Sequence, residues 1–197
     1  MPDRLYDRGV NIDLYEPAED SFLLAGVCVD AIEGDERVLD VGTGTGFVAA
    51  RIREERGAEV VGIDLNPTAC QRAHESGIPV VRGDLLAPFA ANSFDVVTCN
   101  PPYLPTEPDE ERDDWLSVAV SGGETGRTVV EALFTDLDRV LRTPGRCYLL
   151  VSSLMDVDAV AATAQAHGFA VAEIDRDDSF PFEVLSVLCV TRTHGAD

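Results

Sequence analysis

Apolar positions along this chain alternate between short runs at strand spacing and longer stretches at helix spacing, which predicts a parallel α/β sheet covered by helices on both faces. A first helix is expected over 18–32, where Leu24, Val27, Cys28 and Ala31 recur at i, i+3, i+4 and i+7. Strands are expected at 38–41, 59–65, 79–81 and 94–99. A helix over 47–55 separates the first two, and Asn66-Pro67, a capping residue followed by a first-turn proline, opens the next helix. Thr128-Val-Val-Glu131 reads as a capping box for a helix whose apolar face is Val130, Leu133, Phe134, Leu137 and Leu141. A strand at 147–152 and a helix at 156–166 follow. Two final runs, 170–174 and 184–191, are close enough to pair as an antiparallel hairpin at the far end of the sheet. With no repeats and no linker, the 197 residues are expected to form one domain built on seven strands.

Composition narrows the class. Hydrophobic residues make up 45% of the chain, and the longest apolar stretch, Phe22 to Val29, is too short to span a bilayer, so a cytoplasmic protein is expected. The five cysteines are scattered without a C-x-x-C pair and read as small apolar core residues rather than disulfides or a zinc site. His74, His167 and His194 share no ligand spacing, so no metal is expected. There are 36 acidic against 15 basic residues, a net charge of −21, and every basic residue is arginine. Such an excess fits a protein kept soluble in concentrated salt, where screening shortens the repulsion between acidic side chains; a halophilic owner is expected. The acids are spread along periodic segments and are dense only in the loop from Glu107 to Asp114. No arginine stripe interleaved with aromatics is present to contact phosphates, which argues against nucleic acid as a partner.

The candidate chemistry lies at strand ends. Asp40-Val-Gly42-Thr-Gly44-Thr-Gly46-Phe47 joins the first strand to a helix, and its glycines permit a tight turn and close backbone approach to a ligand. The spacing is G-x-G-x-G, and Phe47 stands where a dinucleotide fingerprint needs a small residue, so a nucleotide-like cofactor of another kind is indicated. Asp64 ends the second strand and Asp84 follows the third, which aims both at the crevice where open sheets bind ligands. Asp64 suits two ribose hydroxyls, Asp84 an adenine amine, and Asp40 a cationic amino group. Asn100-Pro101-Pro102-Tyr103 follows the fourth strand. Proline lacks an N–H and holds the residue before it extended, so the Asn100 side-chain oxygen and the Pro101 carbonyl are free to accept from both hydrogens of a planar NH2 group. Tyr103 offers a ring face for that flat group.

These elements, in this order, resemble the class I S-adenosylmethionine-dependent methyltransferases. Tyr15-Glu16-Pro17-Ala18-Glu19-Asp20-Ser21-Phe22-Leu23-Leu24 together with Asn100-Pro-Pro-Tyr103 resembles the archaeal and eukaryotic branch of the HemK-type release-factor glutamine methyltransferases. Gly122-Gly123-Glu-Thr-Gly126-Arg127 and Glu183-Val-Leu-Ser-Val-Leu188 are similar to two further segments of that family. The resemblance implies a Rossmann-like seven-stranded sheet with one antiparallel strand near the C-terminus, and a role for residues 1–34 in the cofactor and substrate site. It implies S-adenosylmethionine contacts from Ser21, Asp40, Gly42, Gly44, Asp64, Asp84, Leu85 and Asn100, with Asn100, Pro101, Pro102 and Tyr103 holding the substrate. Family members often carry glutamate where this chain has Asp40. The implied substrate is the Gly-Gly-Gln loop of the peptide-chain release factor, and the implied partner is a small zinc-ribbon activator that adds a strand beside the third strand in a heterodimer. Two other readings stay open: an adenine-specific DNA or RNA amino-methyltransferase, whose substrate presents the same planar NH2, and a non-catalytic α/β binding module.

Overall fold

The computed structural model describes residues 14–107, 109 and 114–193; residues 1–13, most of the acidic loop and His194 lie outside the described residues. Seven strands, β1 (Arg37–Val41), β2 (Glu59–Asp64), β3 (Val80–Arg82), β4 (Phe94–Cys99), β5 (Leu141–Ser152), β6 (Phe169–Asp177) and β7 (Leu185–Arg192), form one sheet in the order β3-β2-β1-β4-β5-β7-β6. The first five pair in parallel, and β7 runs antiparallel to both β5 and β6. The two final strands therefore do form an antiparallel pair, but β7 inserts beside β5 and leaves β6 at the edge.

Alternation within each buried strand divides the core into two layers, because successive side chains point to opposite faces. Leu39, Val41 and Val97 pack with α5 (Thr128–Val140) and α6 (Val157–Ala166) on one face. Val38, Val60 and Val96 pack with α1 (Glu19–Ala31) and α2 (Phe47–Arg56) on the other. Leu24, Val27 and Cys28 of α1 are buried as their spacing requires, with Ala31 half-buried. Asn66 caps α3 (Pro67–Glu75) by accepting from the Thr68 N–H at 2.9 Å.

Three local expectations are corrected. Thr128 is the first residue of α5 and makes no capping hydrogen bond; Arg127 occupies the cap position, and its ion pair with Glu131 at 3.6 Å replaces the reciprocal bonds of a capping box. Leu141 is buried, but as the first residue of β5 rather than on the helix. The strand expected at 147–152 begins six residues earlier, at Leu141, and β5 passes through Thr143-Pro144-Gly145 with a register shift against β4 between Phe94–Leu141 and Val96–Arg146. A short helix, α4 (Trp115–Val120), was not expected, since its flank is the acidic loop. Among the described residues no helix is long and apolar enough to cross a membrane, and no group of three or more His, Cys, Asp or Glu side chains is placed to hold a metal ion.

Candidate active site

The order of strands decides where the site lies. β1 pairs with β2 on one side and β4 on the other, with Val41 opposite both Ile63 and Cys99. The sheet reverses its direction of growth between β1 and β4, so the turns leaving these two strands separate and open a crevice at their carboxyl ends. The glycine turn and the Asn100 segment are therefore neighbours: a Cβ at Gly42 would stand 3.9 Å from the Asn100 carbonyl oxygen.

The glycine turn is held from β2. The N–H groups of Gly42 and Thr43 both donate to the Ile63 carbonyl, at 2.9 and 3.0 Å. Gly42 and Gly44 have φ of +67° and +56°, a left-handed backbone that side chains with a Cβ adopt at a cost of about 1 kcal/mol or more. Asp64 accepts from the Gly44 N–H at 2.9 Å and from the Asn66 N–H at 2.8 Å, one bond to each carboxylate oxygen. Burial pushes its carboxyl above the usual range even though these N–H groups oppose it. Each oxygen keeps a further lone pair, so the residue still has acceptors for a ligand.

Asp40 is 3% exposed and accepts from the Thr98 hydroxyl and the Thr43 hydroxyl, both at 2.7 Å. Burial drives its carboxyl up to about 6 against those two stabilising donors. Asp84 sits exposed at the rim, and Leu85 follows with φ of +44°, a strained conformation for leucine of the sort that concentrates at ligand sites.

These residues, with Ser21 and Asn100, line a cavity of about 350 Å³. A smaller cavity of about 210 Å³ adjoins it, lined by Asp20, Pro101, Tyr103, Leu104 and Val120; Tyr15, Asn100, Pro102 and Ala119 face both. Asn100 stands at the junction. Its Nδ2 donates to Ser21 Oγ at 3.4 Å, whereas its Oδ1 is buried and has no hydrogen-bond partner among the described residues. A buried acceptor without a partner costs about 1–3 kcal/mol, and this one belongs to a residue that lines both cavities.

All eleven residues assigned a site role from the sequence border one of these cavities. Several others there were not assigned. Tyr15 donates its hydroxyl to Asp20 at 3.0 Å, and Asp20 is 4% exposed. The Glu183 carboxylate lies near the Tyr103 phenol and accepts from Ser152 Oγ at 2.7 Å. Burial and the neighbouring Asp20 and Glu183 carboxylates hold the Tyr103 phenol protonated well above its ordinary range. Thr43 and Thr98 orient Asp40, and Trp115 of α4 lines the larger cavity. The glycine-rich segment before α5 buttresses the Tyr103 loop: Gly122 N–H donates to the Leu104 carbonyl at 2.9 Å, and Thr106 N–H to the Gly123 carbonyl at 3.0 Å.

Comparison with known proteins agrees with this geometry. Residues 38–123 match a methyltransferase domain family. A candidate protein N5-glutamine methyltransferase of Methanocaldococcus jannaschii is 36% identical over 182 residues, covering 89% of this chain and 90% of that protein. Mouse methyltransferase HEMK2 is 31% identical over 191 residues, covering 85% of this chain and 86% of its own length. Among solved structures, a chain of the E. cuniculi Mtq2-Trm112 complex, responsible for methylation of the eRF1 translation termination factor, superposes with a TM-score of 0.72 at 31% identity, covering 92% of this chain and 99% of that one. Identity above 30% across nine-tenths of both chains, on a sheet whose crevice carries the Asp64 carboxylate and the open Asn100 acceptor, means that this chain belongs to the HemK-type family of class I methyltransferases.

Proposed function

We propose that this enzyme transfers a methyl group from S-adenosylmethionine to the side-chain amide nitrogen of a protein glutamine, the one in the Gly-Gly-Gln loop of the peptide-chain release factor. The observation that carries the reading is Asn100 Oδ1, a buried acceptor without a partner among the described residues, placed where the larger and smaller cavities meet. The names of the relatives support the choice of glutamine and of a release factor.

The residues of the larger cavity fit S-adenosylmethionine. Asp64 has lone pairs for two ribose hydroxyls, and Asp84 and Leu85 lie beyond it for the adenine. Asp40, Gly42, Gly44 and Ser21 lie on the other side for the amino-acid end, with the Asp40 carboxylate matching its cationic amine. About 350 Å³ is within the usual range of small-molecule sites. When bound, this cofactor supplies an electrophilic methyl group on a sulfonium.

The chain's own residues prepare the nucleophile. An amide nitrogen attacks poorly because its lone pair is delocalised into the carbonyl. Asn100 Oδ1 and the Pro101 carbonyl accept its two N–H groups, fix it in line with the methyl, and disperse the positive charge that it gains during attack. Tyr103 and Pro102 flank the flat amide, and Pro101 is buried, which keeps water from the acceptors. No general base is needed before transfer; after it the nitrogen, which carries the positive charge, releases one of its two protons to solvent, leaving a neutral N-methyl amide.

The chain works in the cytoplasm as one catalytic domain, with residues 1–34 contributing Ser21 to the site. A small zinc-ribbon activator would add a strand beside β3, which is three residues long and lies at the sheet edge with Val80 and Val81 half-buried. Incubating the chain, alone and co-expressed with such a subunit, with methyl-labelled cofactor in high salt and either release factor or adenine-containing DNA and RNA tests the proposal. Label on the glutamine of the Gly-Gly-Gln loop is expected. Label on nucleic acid instead, or on nothing while the cofactor binds, overturns it.

A further inference from the structure

Which end of the Asn100 amide faces the substrate is decided by a residue on a different element. Asn100 Nδ2 lies 3.4 Å from Ser21 Oγ, Ser21 Oγ lies 3.1 Å from Asp20 Oδ1, and the Tyr15 hydroxyl lies 3.0 Å from Asp20 Oδ2. A carboxylate only accepts, and a serine hydroxyl has a single proton. Ser21 therefore donates to Asp20 and presents a lone pair to Asn100. The Asn100 amide must meet that lone pair with its NH2 end, which turns Oδ1 away from Ser21 and leaves it buried without a partner among the described residues.

A second carboxylate lies near the smaller cavity: Glu183, close to the Tyr103 phenol, accepts from Ser152, which is completely buried. The Tyr15 phenol proton at the smaller cavity is directed to the Asp20 carboxylate. The smaller cavity is lined by Asn100, by Asp20, whose carboxylate only accepts, and by Tyr15, whose phenol oxygen keeps a lone pair once its proton is given to Asp20.

We propose that Asp20 is a positioning residue which, through Ser21, sets the Asn100 amide with its oxygen toward the methyl acceptor, and that this orientation makes the cavity select an NH2 donor and reject a carboxylate. The inference rests on the glutamine reading above and explains how glutamine is distinguished from glutamate, whose side chain has nearly the same shape but carries acceptors only. A site built from acceptors leaves that carboxylate unpaired and repelled, which is the kind of mismatch that gives strong discrimination.

The test compares the wild-type chain with Asp20→Ala, Asp20→Asn and Ser21→Ala. Each is assayed for turnover and for binding of a peptide carrying the Gly-Gly-Gln loop and of its Gln-to-Glu counterpart. Asp20→Ala frees the Ser21 proton to donate to Asn100 Oδ1, so the amide turns its NH2 end to the cavity. Turnover should fall about 10- to 100-fold, and the preference for the glutamine peptide over the glutamate peptide should narrow about tenfold. Asp20→Asn keeps an oxygen that can accept from Ser21 and should restore most of both properties, a rescue that simple loss of packing would not give. If Asp20→Ala does not fold, Ser21→Ala, which removes only the relaying hydroxyl, carries the same expectation for the narrowed preference. Full wild-type turnover and an unchanged peptide preference in Asp20→Ala, or in Ser21→Ala where that variant stands in, overturn the inference while leaving glutamine methylation intact. A wild-type chain that methylates no glutamine overturns the reading beneath it.

Discussion

The backbone N–H of Gly44 donates to Asp64 Oδ2 at 2.9 Å, so the turn that leaves β1 is fixed by the carboxylate that ends β2. One side chain thus shapes the glycine turn and lines the larger cavity. Asp64→Ala removes both functions. Two charge-assisted hydrogen bonds at about 1.5 kcal/mol each correspond to a loss of about 100-fold in S-adenosylmethionine affinity. Titration calorimetry reads this directly, and wild-type affinity in the variant would remove Asp64 from the cofactor site.

Asn100→Ala deletes the unpaired acceptor at the junction of the cavities. Turnover on release factor should drop about 100-fold or more, the scale of losing one preorganised electrostatic stabiliser. A variant that still binds cofactor and transfers methyl at a near-normal rate would falsify the role given to Asn100.

Asp40 gives a pH signature. Burial pushes its carboxyl up to about 6 in the folded protein, against about 3.9 when unfolded, so the native state holds that proton more tightly between the two values. The stability it contributes is full below the unfolded value and is lost as pH rises through the folded one, on the order of 3 kcal/mol. Relative to wild type, Asp40→Asn should therefore gain stability as pH rises from 4 to 6.5, about the span of the two pKa values. The cofactor's amine is expected to need the ionised carboxylate, so wild-type affinity should fall by up to about tenfold per pH unit below 6. Calorimetric affinities that stay level from about pH 5 to 7 would rule out that pairing.

Gly126 has φ of +72°, and a Cβ there would stand 2.5 Å from the Tyr103 carbonyl oxygen. Gly126→Ala must displace backbone, not a flexible side-chain end. It should destabilise the fold by about 1–3 kcal/mol and raise KM for the protein substrate, with cofactor affinity little changed. An unaltered KM would show that the buttress does not position the Tyr103 loop.

Much of this was legible in the sequence because it is local. The glycine turn, Asp64 and Asp84 at successive strand ends, and Asn100 before two prolines each follow from chain geometry over a few residues. Thr128 shows where such reasoning fails: Thr-x-x-Glu fits a capping box, but the Arg127–Glu131 ion pair takes its place. Asp20 and Glu183 gave no separate signal. Acidic residues are abundant in this chain, and only burial distinguishes Asp20, at 4% exposed, from its solvated neighbour Glu19.

The class of fold and the strand ends that border the cavities follow from hydrophobic period and proline geometry, which act along the chain. Tertiary structure decided which strand ends meet. Hydrogen bonding of β1 to β4 sets Val41 against Cys99 and brings Gly42 beside Asn100, while packing of α1 against the sheet brings Ser21 to an amide 79 residues away. A periodic pattern states which face of an element is buried but not what it is buried against. The partners of Asn100 are therefore a property of the assembled sheet.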